Sequence, residues 1–209
     1  MATSATDGPV GSAPSADRRK ARVRERFWNL PNSITLIRIG AVPVLLMLPL
    51  FADEPGSRFI AWVFIAAAVT DILDGWLARR GAQVTSIGKL LDPLADKLLV
   101  ATALIVLLAM GRIPIFATWL VVVIVGRELA VTGLRGIASA GGQVVAANGL
   151  GKLKAVTQNV AIGALLFHYE TLGLPANTVG MWFLFLATAL TLLSGYIYFR
   201  SYFSGEPAT

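Results

Sequence analysis

Residues 71–96 read DILDGWLARRGAQVTSIGKLLDPLAD and carry four aspartates in a chain that has few charges. Asp71 and Asp74 are three residues apart, and Asp92 and Asp96 are four apart. Each pair lies on one face of its own helix, because residues three or four apart are neighbours on a helix surface. Two such helices side by side would form a cage of four carboxylates.

Carboxylates this close together in a low-dielectric setting repel one another and are costly to desolvate. They persist only if they are protonated or neutralised by cations. Two divalent metal ions would balance the charge, and ligands that are all oxygen favour Mg²⁺ or Mn²⁺. The alternative is that the aspartates pair with basic side chains nearby, namely Arg79, Arg80, Lys89 and Lys97. The spacing of the four aspartates, with small residues between them, favours the metal cage.

The composition is that of an integral membrane protein with an all-α fold. Of the 209 residues, 56% are hydrophobic and only 14% are charged, which is too much apolar surface for a soluble domain of this size. The absence of cysteine excludes disulfides and thiolate metal sites, and His168 is the single histidine. The net charge of +6 does not indicate nucleic-acid binding, because the basic residues lie in short segments between apolar stretches.

The chain divides into four regions by composition. The first 17 residues are small and polar and predict a disordered tail, and the basic residues that follow predict a juxtamembrane helix in the headgroup region. The expected regions are a tail at 1–17, a basic juxtamembrane segment at 18–32, a six-helix domain at 33–203 and a C-terminal tail at 204–209.

Six apolar stretches are each close to the roughly 20 residues that cross a bilayer as a helix. They are 33–52, 57–80, 86–110, 113–138, 148–168 and 176–202. Six crossings place both termini on one side, and only Arg58 and Arg112 among the basic residues fall in segments on the other side. The positive-inside rule then places both termini in the cytoplasm, with the aspartates at the cytoplasmic ends of spans two and three.

Eight positions of the aspartate stretch form the pattern D-x2-D-G-x2-A-R-x8-G-x3-D-x3-D. They are Asp71, Asp74, Gly75, Ala78, Arg79, Gly88, Asp92 and Asp96. The pattern resembles, without a departure, the signature of the CDP-alcohol phosphotransferase family of membrane enzymes. This resemblance implies a six-helix, dimeric fold in the bacterial inner membrane, with two metal ions that hold the CDP pyrophosphate at the cytoplasmic side.

The same resemblance assigns roles within the signature. It implies that Asp71, Asp74 and Asp92 are metal ligands and that Asp96 is the general base, near or also on a metal. The chemistry alone requires one carboxylate placed for proton transfer, but it does not separate base from ligand. Four further positions would contact the CDP part of the donor: Gly75, Ala78, Arg79 and Gly88. For Gly75 and Ala78, close helix packing is the alternative.

Segments outside the signature carry a narrower likeness, at 29–38, 127–135 and 151–158, and more weakly at 191–195. They resemble the branch of the family that takes CDP-diacylglycerol as donor and sn-glycerol 3-phosphate as acceptor. A second anionic substrate needs cations beside the metal cage. The candidates for the acceptor phosphate are Arg127, Arg135, Lys152 and Lys154, whose alternative role is ordinary positive-inside anchoring.

Three further polar residues have two possible roles each. Thr35 and Arg38 serve either the donor pyrophosphate or helix packing, and Arg38 lies in an apolar stretch where a charge needs a partner. Glu128 either pairs with a neighbouring arginine or orients one.

Other functions fit parts of the pattern. Within the family, the acceptor could instead be phosphatidylglycerol, as in cardiolipin synthases, or a phosphorylated inositol. Aspartate-rich membrane prenyltransferases also bind magnesium diphosphate, but they lack the framework of small residues and arginine. A cation transporter would spread its polar groups through the membrane depth, whereas these aspartates crowd near one surface.

Overall fold

Six α-helices make up nearly all of the computed structural model, which describes residues 30–78, 86–140, 149–171 and 173–204. Of residues 30–34, 71–78, 86–92 and 139–140, only the backbone is described. The helices are α1 (Leu30–Leu46), α2 (Glu54–Ala78), α3 (Ser86–Ala109), α4 (Thr118–Ala140), α5 (Gly149–Phe167) and α6 (Ala176–Ser204). The predicted tail at 1–17, most of the basic segment at 18–32 and residues 205–209 lie outside the described ranges.

Each predicted apolar stretch overlaps one of these helices, and the largest differences in bounds occur beside prolines. The first stretch was expected to reach residue 52, but α1 ends at Leu46 and a 3₁₀ turn at Leu48–Leu50 follows it. Pro49 in that turn lacks the backbone N–H that an α-helix would use. The fourth stretch was expected to begin at 113, but Pro114 is extended and α4 starts only at Thr118.

The helices are held together by an apolar centre and one close helix pair. α5 and α6 pack along much of their length, α1 contacts both α2 and α3, and α4 contacts α3 and α6. All six helices contribute fully buried side chains to the core, namely Leu45, Phe64, Leu104, Ile124, Leu165 and Leu184. The resulting arrangement brings the C-terminal half of α4, the start of α5 and the C-terminal half of α6 beside one another.

A short hairpin that the sequence analysis did not predict connects α5 to α6. Strands β1 (Glu170–Thr171) and β2 (Leu174–Pro175) pair in antiparallel register. Gly173 between them has a φ of +73°, a conformation that glycine adopts without a steric penalty. Strands this short give no periodic signal in a sequence.

The outer surface of the helices is apolar, as expected of a membrane protein. Ile105, Val122, Trp182 and Leu186 are each at least half exposed, a pattern that lipid tolerates and water does not. Within the described residues, two helical segments are long and apolar enough by themselves to cross a bilayer, Ile115–Ala138 and Ala176–Ser204. The protein is therefore a helical membrane protein, and the crossing of the membrane by all six helices stays a prediction.

Arg112 lies in the connection between α3 and α4, at the end of the helices opposite the aspartates. Its guanidinium is nearly buried and donates to the Leu166 carbonyl oxygen and to Ser57 Oγ, both at 2.6 Å. Asn177 Nδ2 donates to the Arg112 carbonyl oxygen at 3.0 Å. This network ties α2, α5 and α6 to one loop and stabilises the far end of the fold.

Candidate active site

The signature aspartates lie at two helix ends. Asp71 and Asp74 are in the last turns of α2, and Asp92 and Asp96 are in the first turns of α3. Both pairs are therefore helical, so each pair shares a helix face as the spacing predicts. The segment that links the two helix ends includes Arg79, which lies outside the described residues.

The donor-side positions of the signature are described only as backbone. Gly75 and Ala78 belong to the last turns of α2, and Gly88 belongs to the first turn of α3. The side chains of Asp71, Asp74, Asp92 and Ala78 are not described, so the predicted cage and CDP contacts are not tested by the structure.

Asp96 is the one signature aspartate whose side chain is described. Its Oδ2 atom accepts a hydrogen bond from Lys97 Nζ at 2.8 Å, and the Asp96 side chain is 34% exposed. Pairing with Lys97, one of the alternatives to metal binding, is thus present for this carboxylate. The partial exposure leaves Asp96 accessible to a substrate.

A cavity of about 260 Å³ between α4, α5 and α6 has several cationic side chains in its wall. All four residues predicted to hold the acceptor phosphate line it, namely Arg127, Arg135, Lys152 and Lys154. Lys97 of α3, the residue that follows Asp96 in the chain, also lines the cavity. Five cationic side chains and one carboxylate therefore face a single space beside the end of the signature.

The carboxylate in this cavity is Glu128, which is nearly buried. It accepts a hydrogen bond from Arg127 Nη1 at 3.2 Å and forms ion pairs with Lys97 and Lys154. Of the two roles that the sequence left open, the structure shows pairing, and it adds two lysines to the expected arginine. Through Lys97, Glu128 is linked to Asp96, so the cavity and the signature share one network of charges.

Two further cavity residues had no role assigned from the sequence: Ser194, which lies in the 191–195 segment of weaker family likeness, and Tyr198, which was not singled out. Ser194 and Tyr198 are polar, four residues apart and buried on α6, within an otherwise apolar span. Residues four apart share a helix face. Ser194 Oγ accepts a hydrogen bond from Arg127 Nη2 at 3.1 Å, and the Arg135 guanidinium lies 5.3 Å from the centre of the Tyr198 ring.

Thr35 and Arg38 are not among the residues that line the cationic cavity. Both are almost fully buried on α1, the helix that packs against α2 and α3. Each has at least one interaction partner. The structure therefore separates these two residues from the four acceptor candidates. It places them on α1, which contacts both helices that contain the signature, α2 and α3.

An apolar groove of about 410 Å³ runs between α2 and α5. Its walls include Phe64, Val69, Val156, Gly163 and Phe167. Val69 is two residues before Asp71, so one end of the groove lies beside the start of the signature. A groove of this character suits a hydrocarbon chain and not a charged ligand.

The type of ligand atom at the signature fits a hard divalent cation, since all four candidate ligands are carboxylates. The described side chains contain no group of three or more acidic or histidine residues that could hold a metal. Three of the four signature carboxylates fall outside that set. The metal centre accordingly stays a prediction from the sequence pattern and the helical backbone.

Residues 28–193 match the family model described as CDP-alcohol phosphatidyltransferase. The match covers most of the chain, so the protein belongs to this family, and it is an enzyme of this type. Enzymes of the family generally depend on divalent metal ions.

Curated relatives with a more specific name are similar over nearly the whole chain. A protein of Bacillus subtilis named CDP-diacylglycerol–glycerol-3-phosphate 3-phosphatidyltransferase is 42% identical, covering 83% of this chain and 94% of its own length. A protein of the same name from Rickettsia typhi is 36% identical, with 83% and 96% covered. One from Arabidopsis thaliana, with the same name followed by the number 2, is 35% identical, with 86% and 82% covered.

Proposed function

We propose that this enzyme transfers the phosphatidyl group of CDP-diacylglycerol to sn-glycerol 3-phosphate, giving phosphatidylglycerophosphate and CMP. The observation that carries the proposal is the cationic cavity beside Asp96. Five cationic side chains and one carboxylate leave that cavity strongly positive, which suits the phosphate of a soluble acceptor. The names of the relatives give the same donor and acceptor.

The proposed reaction joins an acceptor hydroxyl to the β-phosphorus of the donor. A new bond forms between the hydroxyl oxygen and phosphorus, the bond between that phosphorus and the CMP oxygen breaks, and the hydroxyl proton passes to Asp96. Asp71, Asp74 and Asp92, with Asp96 nearby, would hold two Mg²⁺ or Mn²⁺ ions. When bound, such ions stabilise the negative charge on the attacking and leaving oxygens.

The donor would lie across the signature and the apolar groove. Gly75, Ala78, Arg79 and Gly88 would contact the CDP part, with Thr35 and Arg38 serving the pyrophosphate from α1 or holding α1 in place. The groove between α2 and α5 would take an acyl chain, because it is apolar and one end lies beside the signature. This arrangement keeps the nucleotide at the polar end of the helices and the lipid tail against the membrane.

The acceptor would enter the cationic cavity from the cytoplasm. Arg127, Arg135, Lys152 and Lys154 would bind its phosphate, while Glu128 keeps Lys97, Arg127 and Lys154 together. Lys97 donates a hydrogen bond to Asp96 and also faces the cavity. Its position supports the proposal that the acceptor hydroxyl lies next to the Asp96 carboxylate.

The cellular setting follows from the charge pattern. In the proposed topology six helices cross the bacterial inner membrane, both termini and the site face the cytoplasm, and residues 18–32 lie in the headgroup layer. The proposed assembly is a homodimer, as the family resemblance implies. Nucleic acid is not an expected partner.

An acceptor panel with purified protein in detergent tests the proposal. CMP release from CDP-diacylglycerol would be measured with Mg²⁺, with Mn²⁺ and with a chelator, in the presence of glycerol 3-phosphate, phosphatidylglycerol or inositol phosphate. Metal-dependent release that requires glycerol 3-phosphate is the expected result. Release driven by either of the other acceptors would replace the proposed reaction with another branch of the family.

A further inference from the structure

The two arginines of α4 that line the cationic cavity both contact side chains of α6. Arg127 Nη2 donates a hydrogen bond to Ser194 Oγ at 3.1 Å. The Arg135 guanidinium carbon lies 5.3 Å from the centre of the Tyr198 ring, within the range of a cation–π contact. Neither contact was visible in the sequence, because each joins two helices that are far apart along the chain.

Arg127 also packs closely against Gly195, which has no side chain to obstruct it. A Cβ atom built at Gly195 would lie 3.2 Å from Arg127 Cγ and 3.4 Å from Arg127 Nε. The aliphatic part of Arg127 thus lies directly over the Gly195 backbone. Ser194 Oγ in turn donates to the Thr191 carbonyl oxygen at 3.2 Å, which leaves its lone pairs directed toward Arg127.

The spacing of these contacts brings the two guanidinium groups toward each other. Arg127 and Arg135 are eight residues apart, which corresponds to about 12 Å along the α4 axis. Ser194 and Tyr198 are four residues apart, or about 6 Å along α6. Two side chains that leave α4 far apart are therefore bound at nearby points of α6, on the wall of one cavity.

We infer that Ser194, Gly195 and Tyr198 are positioning residues for the acceptor. They set the separation of the Arg127 and Arg135 guanidinium groups so that both bind one phosphate monoester dianion. Two guanidinium groups at a fixed separation recognise the oxygens of a phosphate by paired hydrogen bonds, which flexible arginines would do less well. This inference rests on the proposed function, since it names α6 as the part that fixes acceptor affinity.

Tyr198 contacts Arg135 through its ring and not through its hydroxyl. The Tyr198 hydroxyl is buried and has no hydrogen-bond partner among the described residues. Phenylalanine would keep the ring beneath Arg135 and remove an unsatisfied polar group. Leucine would remove the cation–π contact while keeping an apolar side chain.

The test compares Tyr198→Leu, Tyr198→Phe, Ser194→Ala and Gly195→Ala with the parent enzyme. The readouts are kcat, the KM for glycerol 3-phosphate, the KM for CDP-diacylglycerol and the unfolding temperature in detergent. Tyr196→Leu is the matched control, because Tyr196 is on the same helix but 65% exposed.

The expected result is a selective loss of acceptor affinity. Tyr198→Leu should raise the KM for glycerol 3-phosphate about fivefold, Ser194→Ala and Gly195→Ala about threefold, with the donor KM and kcat little changed. Tyr198→Phe and Tyr196→Leu should behave like the parent.

Two outcomes would overturn the inference. One is an unchanged KM for glycerol 3-phosphate in both Tyr198→Leu and Gly195→Ala, and the other is an equal rise in both KM values. A parent enzyme that does not use glycerol 3-phosphate would defeat the proposed function instead, so the two failures are distinguishable. If Tyr198→Leu fails to fold, Gly195→Ala still decides, since the three atoms nearest to its Cβ all belong to the flexible side chain of Arg127.

Discussion

Lys154 of α5 donates a hydrogen bond to Glu128 of α4, and both side chains are almost completely buried. The pair joins two helices that otherwise pack little against each other. Glu128 also pairs with Lys97 and Arg127, so one carboxylate is the shared partner of three cations. Removing it would leave three positive charges together in a poorly solvated space.

Glu128→Gln should therefore lower the free energy of unfolding in detergent by about 3 kcal/mol, the usual cost of breaking a buried ion pair on one side. Glu54→Gln is the control, because Glu54 pairs with Arg58 at 2.6 Å with both side chains close to half exposed. That surface pair should be worth less than about 1 kcal/mol. Equal losses in the two variants would show that Glu128 does not hold the cations together.

The contact between α5 and α6 depends on glycine at one position. A Cβ atom at Gly180 would lie 2.7 Å from Leu165 Cγ and 2.9 Å from the Leu165 backbone nitrogen. Gly180→Ala should lower the free energy of unfolding by about 1–3 kcal/mol through overpacking. Gly163→Ala is the control, since its Cβ would meet Ile65 at an ordinary 3.6 Å, and there alanine should stabilise the helix by up to about 1 kcal/mol. A Gly180→Ala protein as stable as the parent would mean that the two helices are not this close.

Lys152 is one of two exposed members of the proposed acceptor cations, the other being Arg135. Lys152→Gln should raise the KM for glycerol 3-phosphate about fivefold, or about 1 kcal/mol of binding free energy, through loss of one charge-assisted contact. Arg200→Gln removes one charge near the C-terminal end of α6 from an exposed side chain that is not among those lining the cavity, and it should leave that KM unchanged. The same rise in both variants would assign Lys152 to general positive charge at the membrane surface.

The signature aspartates should differ in what they do for the metal. Asp92→Asn should abolish activity and weaken Mn²⁺ binding, because it removes a proposed ligand. Asp96→Asn should abolish activity while part of the Mn²⁺ binding is kept, because Asp96 is the proposed base. Binding would be titrated with purified protein. Equal loss of Mn²⁺ in the two variants would contradict a dedicated base at Asp96.

Local sequence patterns predicted the helices well, for reasons that are themselves local. Apolar stretches of about 20 residues mark helices regardless of what they pack against, and α3 at Ser86–Ala109 differs by one residue from its predicted end. Errors occurred at Pro49 and Pro114, where a hydropathy pattern does not register the loss of a backbone N–H. The hairpin at 170–175 was missed because two-residue strands have no period.

The candidate site was predictable where charge and family likeness coincide. Arg127, Arg135, Lys152 and Lys154 were chosen as cations for a second anionic substrate, in segments that resemble one branch of the family, and the structure brings them to one cavity. Their partners could not be chosen, since the pairing of Lys154 with Glu128 and of Arg135 with Tyr198 depends on how helices pack. A tyrosine in a membrane helix is common enough that sequence alone gave it no role.

Incorporation of radiolabelled glycerol 3-phosphate into lipid is the most direct measurement. Purified enzyme in detergent would be incubated with the labelled acceptor, CDP-diacylglycerol and Mg²⁺, and the organic extract would be counted and identified by mass spectrometry. The predicted result is labelled phosphatidylglycerophosphate that forms only when the enzyme, donor and metal are all present. Folded enzyme that binds CDP-diacylglycerol and Mg²⁺ yet leaves all of the label in the aqueous phase would contradict it.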